Sequence, residues 1–289
     1  MSTLRCVVDA KNKLGEVPVW DVAEQALYWV DIENNLLQRL DQAGKVTRWT
    51  MPERICSFAL REQGGLVVAL ASTLAFFDPE TGHIERLPPP DHDMKRNRLN
   101  DGKCDRRGRF WVGSMDDQLR ERTGGLFRLD PDGSLHQMEE GIGISNSLAW
   151  SPDDKIFYFA DTMQRKIFAY DFDIETGNIS NRRVFTDMAD QPGNPDGSTI
   201  DVEGYLWNAQ WDGWRLVRYA PDGSVERIIE TPIEKPASCI FGGPDLRTLY
   251  VTSAIWDLTP ERLKAQPLAG ALFAVEVDVP GLPEPRYAG

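Results

Sequence analysis

Residues 144–178 read ISNSLAWSPDDKIFYFADTMQRKIFAYDFDIETGN, and the pattern within them decides the fold. Two short runs rich in β-branched and aromatic residues, FYFADT from Phe157 and IFAYDF from Ile167, are split by a few polar residues, and DIETGN supplies turn chemistry after the second. This arrangement recurs along the chain. Runs like the first begin at Leu27, Leu66, Phe110, Phe157, Leu206 and Leu249, which lie 39, 44, 47, 49 and 43 residues apart. Runs like the second begin at Leu36, Leu74, Gly125, Ile167, Leu216 and Ala271, and DQAGK, DPETGH, DPDGS and APDGS provide the matching turns. A period in the forties built from strands and tight turns is that of a four-stranded propeller blade. The expectation is an all-β, six-bladed β-propeller, a single domain over residues 1–289. A β-sandwich would require two strand types to keep register across six units by accident.

The sixth unit lacks the turn signal, because after Val277 the chain runs into DVPGLPEPRYAG. Its outer strand is therefore expected from RCVVDA at Arg5, so that N- and C-terminal strands close the ring and the two termini meet in one blade. Helix-period sequence is confined to PERLKAQP around Glu261, which reads as a short insert in the last blade.

With 289 residues and 41% hydrophobic content the chain can bury a full core. A formal net charge of −13 repels nucleic acid and anionic membrane and excludes both as expected partners. No N-terminal apolar stretch suits a signal peptide and no later segment is long enough to span a bilayer, so a cytoplasmic protein is expected. A closed propeller has no edge that must pair, which makes a monomer the default. Cys6, Cys56, Cys104 and Cys239 have neither Cys-x-x-Cys nor zinc-finger spacing and read as reduced, mostly buried thiols.

Ten or eleven positions before each first run stands a polar residue: Glu16, Cys56, Asn100, Asn146, Asp196 and Ser238. Innermost strands of a propeller line its central channel, so one repeat position from each blade collects at one mouth. The set holds two carboxylates and two carboxamides and no histidine. Oxygen donors of this kind suit a hard or borderline divalent cation such as Ca²⁺, Mg²⁺ or Mn²⁺, less typically Zn²⁺, and not a thiolate-bound metal. Two buried carboxylates without a cation would be costly and would raise each other's pKa. The competing reading makes Glu16 and Asp196 ordinary turn residues, since LGEVP and NPDGS both look like turns.

LGEVPVW (14–20), RLNDGKCDRRGRFWVGSM (98–115), ISNSLAWSPDDKIFYFADT (144–162), NPDGSTIDVEGYLW (194–207) and CIFGGPDLRTLYVTSA (239–254) resemble, in order and across essentially the whole chain, the senescence marker protein/regucalcin/gluconolactonase family. The resemblance implies a propeller that hydrolyses a sugar lactone with one divalent metal, Ca²⁺, Zn²⁺, Mn²⁺, Mg²⁺ or Fe²⁺. It implies Glu16, Asn146 and Asp196 as metal ligands, and Arg98 and Asn100 as substrate contacts. Some relatives carry a Glu three residues beyond the Gly-Ser-Met motif, where this chain has Asp116, Asp117 and Gln118. Gln118, or Asp117 with a shifted loop, is expected to take over that contact with substrate.

Lactone opening needs a polarised carbonyl and a nucleophilic water. A metal suits the first task and a carboxylate the second, and Asp196 is the expected general base. No Gly-x-Ser-x-Gly elbow supports an α/β-hydrolase triad. His83, His92 and His136 fall in a turn, a Pro-rich loop and a blade edge and read as surface residues. Trp20, Trp29, Trp111, Trp150 and Trp207 read as core, whereas Trp211, Trp214 and Trp256 fall beyond strand ends, where they could wall a sugar pocket. Three alternatives stand beside the lactonase reading: a calcium-handling protein without turnover, a propeller esterase or phosphotriesterase on non-sugar substrates, and a protein-interaction platform. The last is disfavoured by the absence of Gly-His and Trp-Asp repeat signatures.

Overall fold

In the computed structural model, which describes residues 4–90 and 93–289, every expected first and second run is a strand, and each pairs with its neighbour in an antiparallel four-stranded sheet. Six such sheets make the fold a six-bladed β-propeller. Blades 1 to 5 span residues 15–50, 55–86, 97–142, 145–187 and 194–230, each a simple meander. Blade 6 takes three strands from residues 236–276 and its fourth from Arg5–Val8, which pairs with Leu272–Glu276. That is the closure expected from the missing turn after Val277. The final residues depart from expectation, because residues 284–289 lie on blades 2 and 3 and not in blade 6.

The chain divides into two compact units. One comprises blades 1, 5 and 6 (residues 1–51 and 188–283), the other blades 2, 3 and 4 with the tail (52–187 and 284–289). In each unit large side chains fill the space between neighbouring blades. Trp111 is fully buried against Trp150, Phe157 and Phe172, with ring centroids 5.9, 5.2 and 6.0 Å away. Trp207 meets Phe241 edge-on at 5.9 Å, and Trp20 stacks on Tyr250 at 5.6 Å. The five tryptophans expected in the core are all buried there.

Two of the three fully buried indoles are held the same way. Trp111 Nε1 donates to Asp105 and Trp207 Nε1 to Asp201, both at 2.9 Å, across Asp-x-x-Gly-x-x-Trp turns. Asp201 also accepts the Glu203 and Tyr205 amides and the Arg218 guanidinium. The helical insert is Pro260–Ala265, started by the Thr259 hydroxyl accepting the Arg262 amide. Cys56, Cys104 and Cys239 are buried thiols and Cys6 is exposed. No helix among the described residues is long and apolar enough to cross a membrane.

Candidate active site

Each innermost strand breaks register with its neighbour at one place, and the six residues of the expected set stand there. In Gly15–Asp21 and Ser145–Trp150 the shift begins at Glu16 and Asn146. In the other four it encloses Cys56, Asn100, Asp196 and Ser238. A bulge adds backbone on one strand only and re-aims the side chains beside it. After Glu16 and Asn146 the chain enters the left-handed region, with Val17 at φ 43° and Ser147 at φ 67°. For β-branched Val17 this is a strained conformation, of the kind that concentrates at functional sites.

Two aspartates that sequence reasoning passed over hold these strands in place. Asp31 ends the strand Ala26–Asp31 and accepts the amides of Lys13 and Leu14 at 2.9 and 3.0 Å, just ahead of Glu16. Asp161 ends Ile156–Asp161 and accepts the amides of Gly143 and Ile144, both at 3.1 Å, just ahead of Asn146. The available signal was an Asp closing both LYWVD and FYFAD.

In the unit of blades 2 to 4 the structure joins four polar side chains in line. Arg98 donates to Asn100 Oδ1 at 2.6 Å, Asn100 Nδ2 donates to Asn146 Oδ1 at 3.0 Å, and Asn146 Nδ2 donates to Thr162 at 2.9 Å. The bond from Asn100 Nδ2, which can only donate, fixes which way the Asn146 amide faces. Asn100 Nδ2 also reaches the Ser145 carbonyl at 2.8 Å. Arg98 lies 3.3 Å from Asp117, which forms a two-pronged pair with Arg54 at 2.8 and 2.7 Å. The Arg54 guanidinium holds the Asp117 carboxyl below the usual carboxylate range. Arg54, 63 residues from Asp117, carried no sequence signal.

Arg98, Asp117 and Gln118 line a pocket of about 420 Å³ with Arg54, Asn97 and Arg96, within the usual size range for small-molecule sites. The Gln118 side chain has no partner among the described residues, and Asp117 is engaged by two arginines. Three residues after Arg98, Asp101 accepts the Ser147 amide at 2.9 Å, and burial pushes its carboxyl up to about 6.

In the unit of blades 1, 5 and 6, Glu16 and Asp196 are 9% and 5% exposed. Glu16 Oε2 stands 3.3 Å from the Val17 amide, and Asn208 donates to the Asp196 carbonyl at 2.7 Å. Among the described residues no three His, Cys, Asp or Glu side chains gather as a metal cluster. The expected ligand set contains only two of that kind, so its third donor is the Asn146 carboxamide. Its donor chemistry, nearly buried oxygen atoms alone, fits a hard divalent cation.

Of the three tryptophans expected beyond strand ends, Trp211 departs from that placement. Trp211 is the last residue of the strand Leu206–Trp211, and its face is covered by the Lys235 ammonium at 4.5 Å. Trp256, 37% exposed, has the Lys13 ammonium 5.1 Å from its ring centroid, and Trp214, 44% exposed, is the most open of the three. His83 and His136 are exposed as expected, and His92 lies outside the described residues.

Residues 14–255 match the family described as SMP-30/Gluconolactonase/LRE-like region. The chain is 42% identical to 6-deoxy-6-sulfogluconolactonase of Pseudomonas putida, with 99% of each chain covered. It is 39% identical to L-arabinolactonase of Azospirillum brasilense (98% and 95% covered) and 37% identical to regucalcin of Oryctolagus cuniculus (99% and 98%). A solved calcium-binding protein, regucalcin, from Agrobacterium tumefaciens strain C58 superposes with a TM-score of 0.94 at 29% identity, covering 100% of this chain and 98% of that one.

Proposed function

The chain belongs to the SMP-30/gluconolactonase/LRE-like family, and from that footing we propose that it is a sugar lactonase, an enzyme that opens an aldonolactone to its aldonic acid. In this reading Glu16, Asn146 and Asp196 would hold one divalent cation. When bound, that cation supplies Lewis-acid polarisation of the lactone carbonyl. Asp196 accepts the proton of the attacking water as its oxygen bonds to the carbonyl carbon. The ring C–O bond then breaks, and the departing alkoxide takes that proton from Asp196 to become the free hydroxyl, which restores the carboxylate.

Arg98 and Asn100 orient the sugar through directional hydrogen bonds, and Asp117 and Gln118 meet its hydroxyls in the pocket. The observation that carries this reading is the hydrogen-bonded line from Arg98 through Asn100 to Asn146, which joins a small-molecule pocket to a metal-binding type of carboxamide. The curated relatives differ in the sugar they are named for.

A second reading, divalent-cation binding without turnover, is favoured by the likeness to regucalcins, one of them a calcium-binding protein. Acid release from five- and six-carbon aldonolactones separates the two, using protein stripped by chelator and restored with single metals. Metal-dependent opening of at least one lactone supports the enzyme; cation binding with no opening of any lactone supports the second reading. Asp196→Ala is expected to lower turnover by roughly 10²–10⁴-fold with an unchanged circular dichroism spectrum. Wild-type turnover in that variant would remove Asp196 from the mechanism.

A further inference from the structure

The pocket at Arg98 is a cationic place on an anionic protein. The chain carries a formal charge of −13, yet five cationic side chains line this pocket against three carboxylates. The carboxylates are already engaged. Asp117 is shared by Arg54 and Arg98, and Glu121 pairs with Arg96 at 2.8 Å. Asp116 accepts the backbone amides of Gln118, Arg120 and Glu121 and stands 3.6 Å from Arg96. The two remaining cations, Lys95 and Arg120, have no side-chain partner among the described residues, and both are exposed.

Two unmatched cations facing one concave space attract an anion more than a neutral polyol. The pairing of one guanidinium with one ammonium suits a group with several oxygens, the guanidinium giving a two-pronged contact and the ammonium a point charge. Arg98 belongs both to this pocket and to the line leading to Asn100, so the two regions share one wall. We infer that the pocket receives an anionic substituent, a sulfonate, phosphate or carboxylate, carried by the sugar at the end remote from the reacting carbonyl. Lys95 and Arg120 are then specificity residues. The inference names the substrate class of the proposed lactonase and rests on that reading.

The test compares kcat/KM for 6-phosphoglucono-δ-lactone and glucono-δ-lactone at low and high ionic strength. Wild type is expected to prefer the anionic lactone by about tenfold or more, with the preference shrinking as salt screens the exposed cations. In the double variant Lys95→Ala/Arg120→Ala the ratio of the two kcat/KM values is expected to fall to near unity. Both side chains lie at the surface, which keeps the fold out of the comparison. A wild-type preference for the neutral lactone, or an unchanged ratio in the double variant, overturns the inference and leaves the lactonase reading standing.

Calorimetric binding of 6-phosphogluconate against gluconate provides a readout that needs no turnover. Tighter binding of the phosphorylated acid by wild type, lost in the double variant, supports the anion subsite even if no lactone is opened. Equal affinity for the two acids overturns it.

Discussion

Asp101 is a carboxyl placed where its charge is poorly solvated, one position after Asn100. Its folded-state pKa of about 6 lies above the ordinary 3.8, so the folded protein holds this proton more tightly than the unfolded chain. The contribution to stability is thus greatest below pH 4 and is lost as pH rises through 6, a loss on the order of 2–3 kcal/mol. Asp101→Asn can keep the bond from the Ser147 amide through its carbonyl oxygen. In chelator, its melting temperature is expected to gain on wild type between pH 4.5 and 7; an equal difference at both pH values would contradict the assigned burial. The neighbouring glycine has a steric reason that the sequence shows only as a motif. A Cβ at Gly102 would lie 2.7 Å from Ser57 Oγ, and one at Gly197, after Asp196, only 2.0 Å from Ser238 Oγ and 2.8 Å from its Cα. Asn-Asp-Gly and Pro-Asp-Gly therefore join a proposed site residue to the glycine that lets adjacent inner strands approach. Gly197→Ala is expected to destabilise by about 1–3 kcal/mol in urea unfolding, through overpacking.

The elements follow from alternation and turns, which is why the sequence located all twelve middle strands of the blades. Their anchoring is less legible, because a carboxylate that organises a loop resembles any turn aspartate in one dimension. Asp201 makes the point. It is fully buried and binds two amides, an indole and Arg218, so its removal leaves the amides, the indole and the Arg218 Nε–H without this acceptor, while the Arg218 cation keeps Glu203 and Glu226. Asp201→Ala is expected to cost about 3–5 kcal/mol, with the indole fluorescence of Trp207 shifted in the folded state. Asp105 repeats the device with Arg109 and Trp111 in blade 3, so the Asp-x-x-Gly-x-x-Trp spacing was visible in the sequence although its meaning was not. Arg54 and Asp117 had no such local trace, since their pairing depends on how two blades meet.

At the scale of the molecule, repeat spacing gave the blade count and the missing sixth-blade strand, while the end of the chain escaped it. DVPGLPEPRYAG has no strand pattern, yet Tyr287 within it is 1% exposed. Its amide donates to Leu60, its carbonyl accepts from Glu62, and its hydroxyl donates to the Asp130 carbonyl at 2.9 Å. These bonds tie the tail to blades 2 and 3, and Tyr287→Ala is expected to cost about 3–5 kcal/mol in chemical unfolding through the cavity it opens and the bonds it releases. The strand Arg5–Val8 meets the opposite circumstance, because its partner Leu272–Glu276 is made last. During synthesis at about 5–20 residues per second, that strand waits roughly 15–50 s for a partner, presenting unpaired backbone from the moment it leaves the ribosome. The sixth blade is thus the last of the six to close as the chain is made, and until then its edge offers unpaired backbone groups to any other strand.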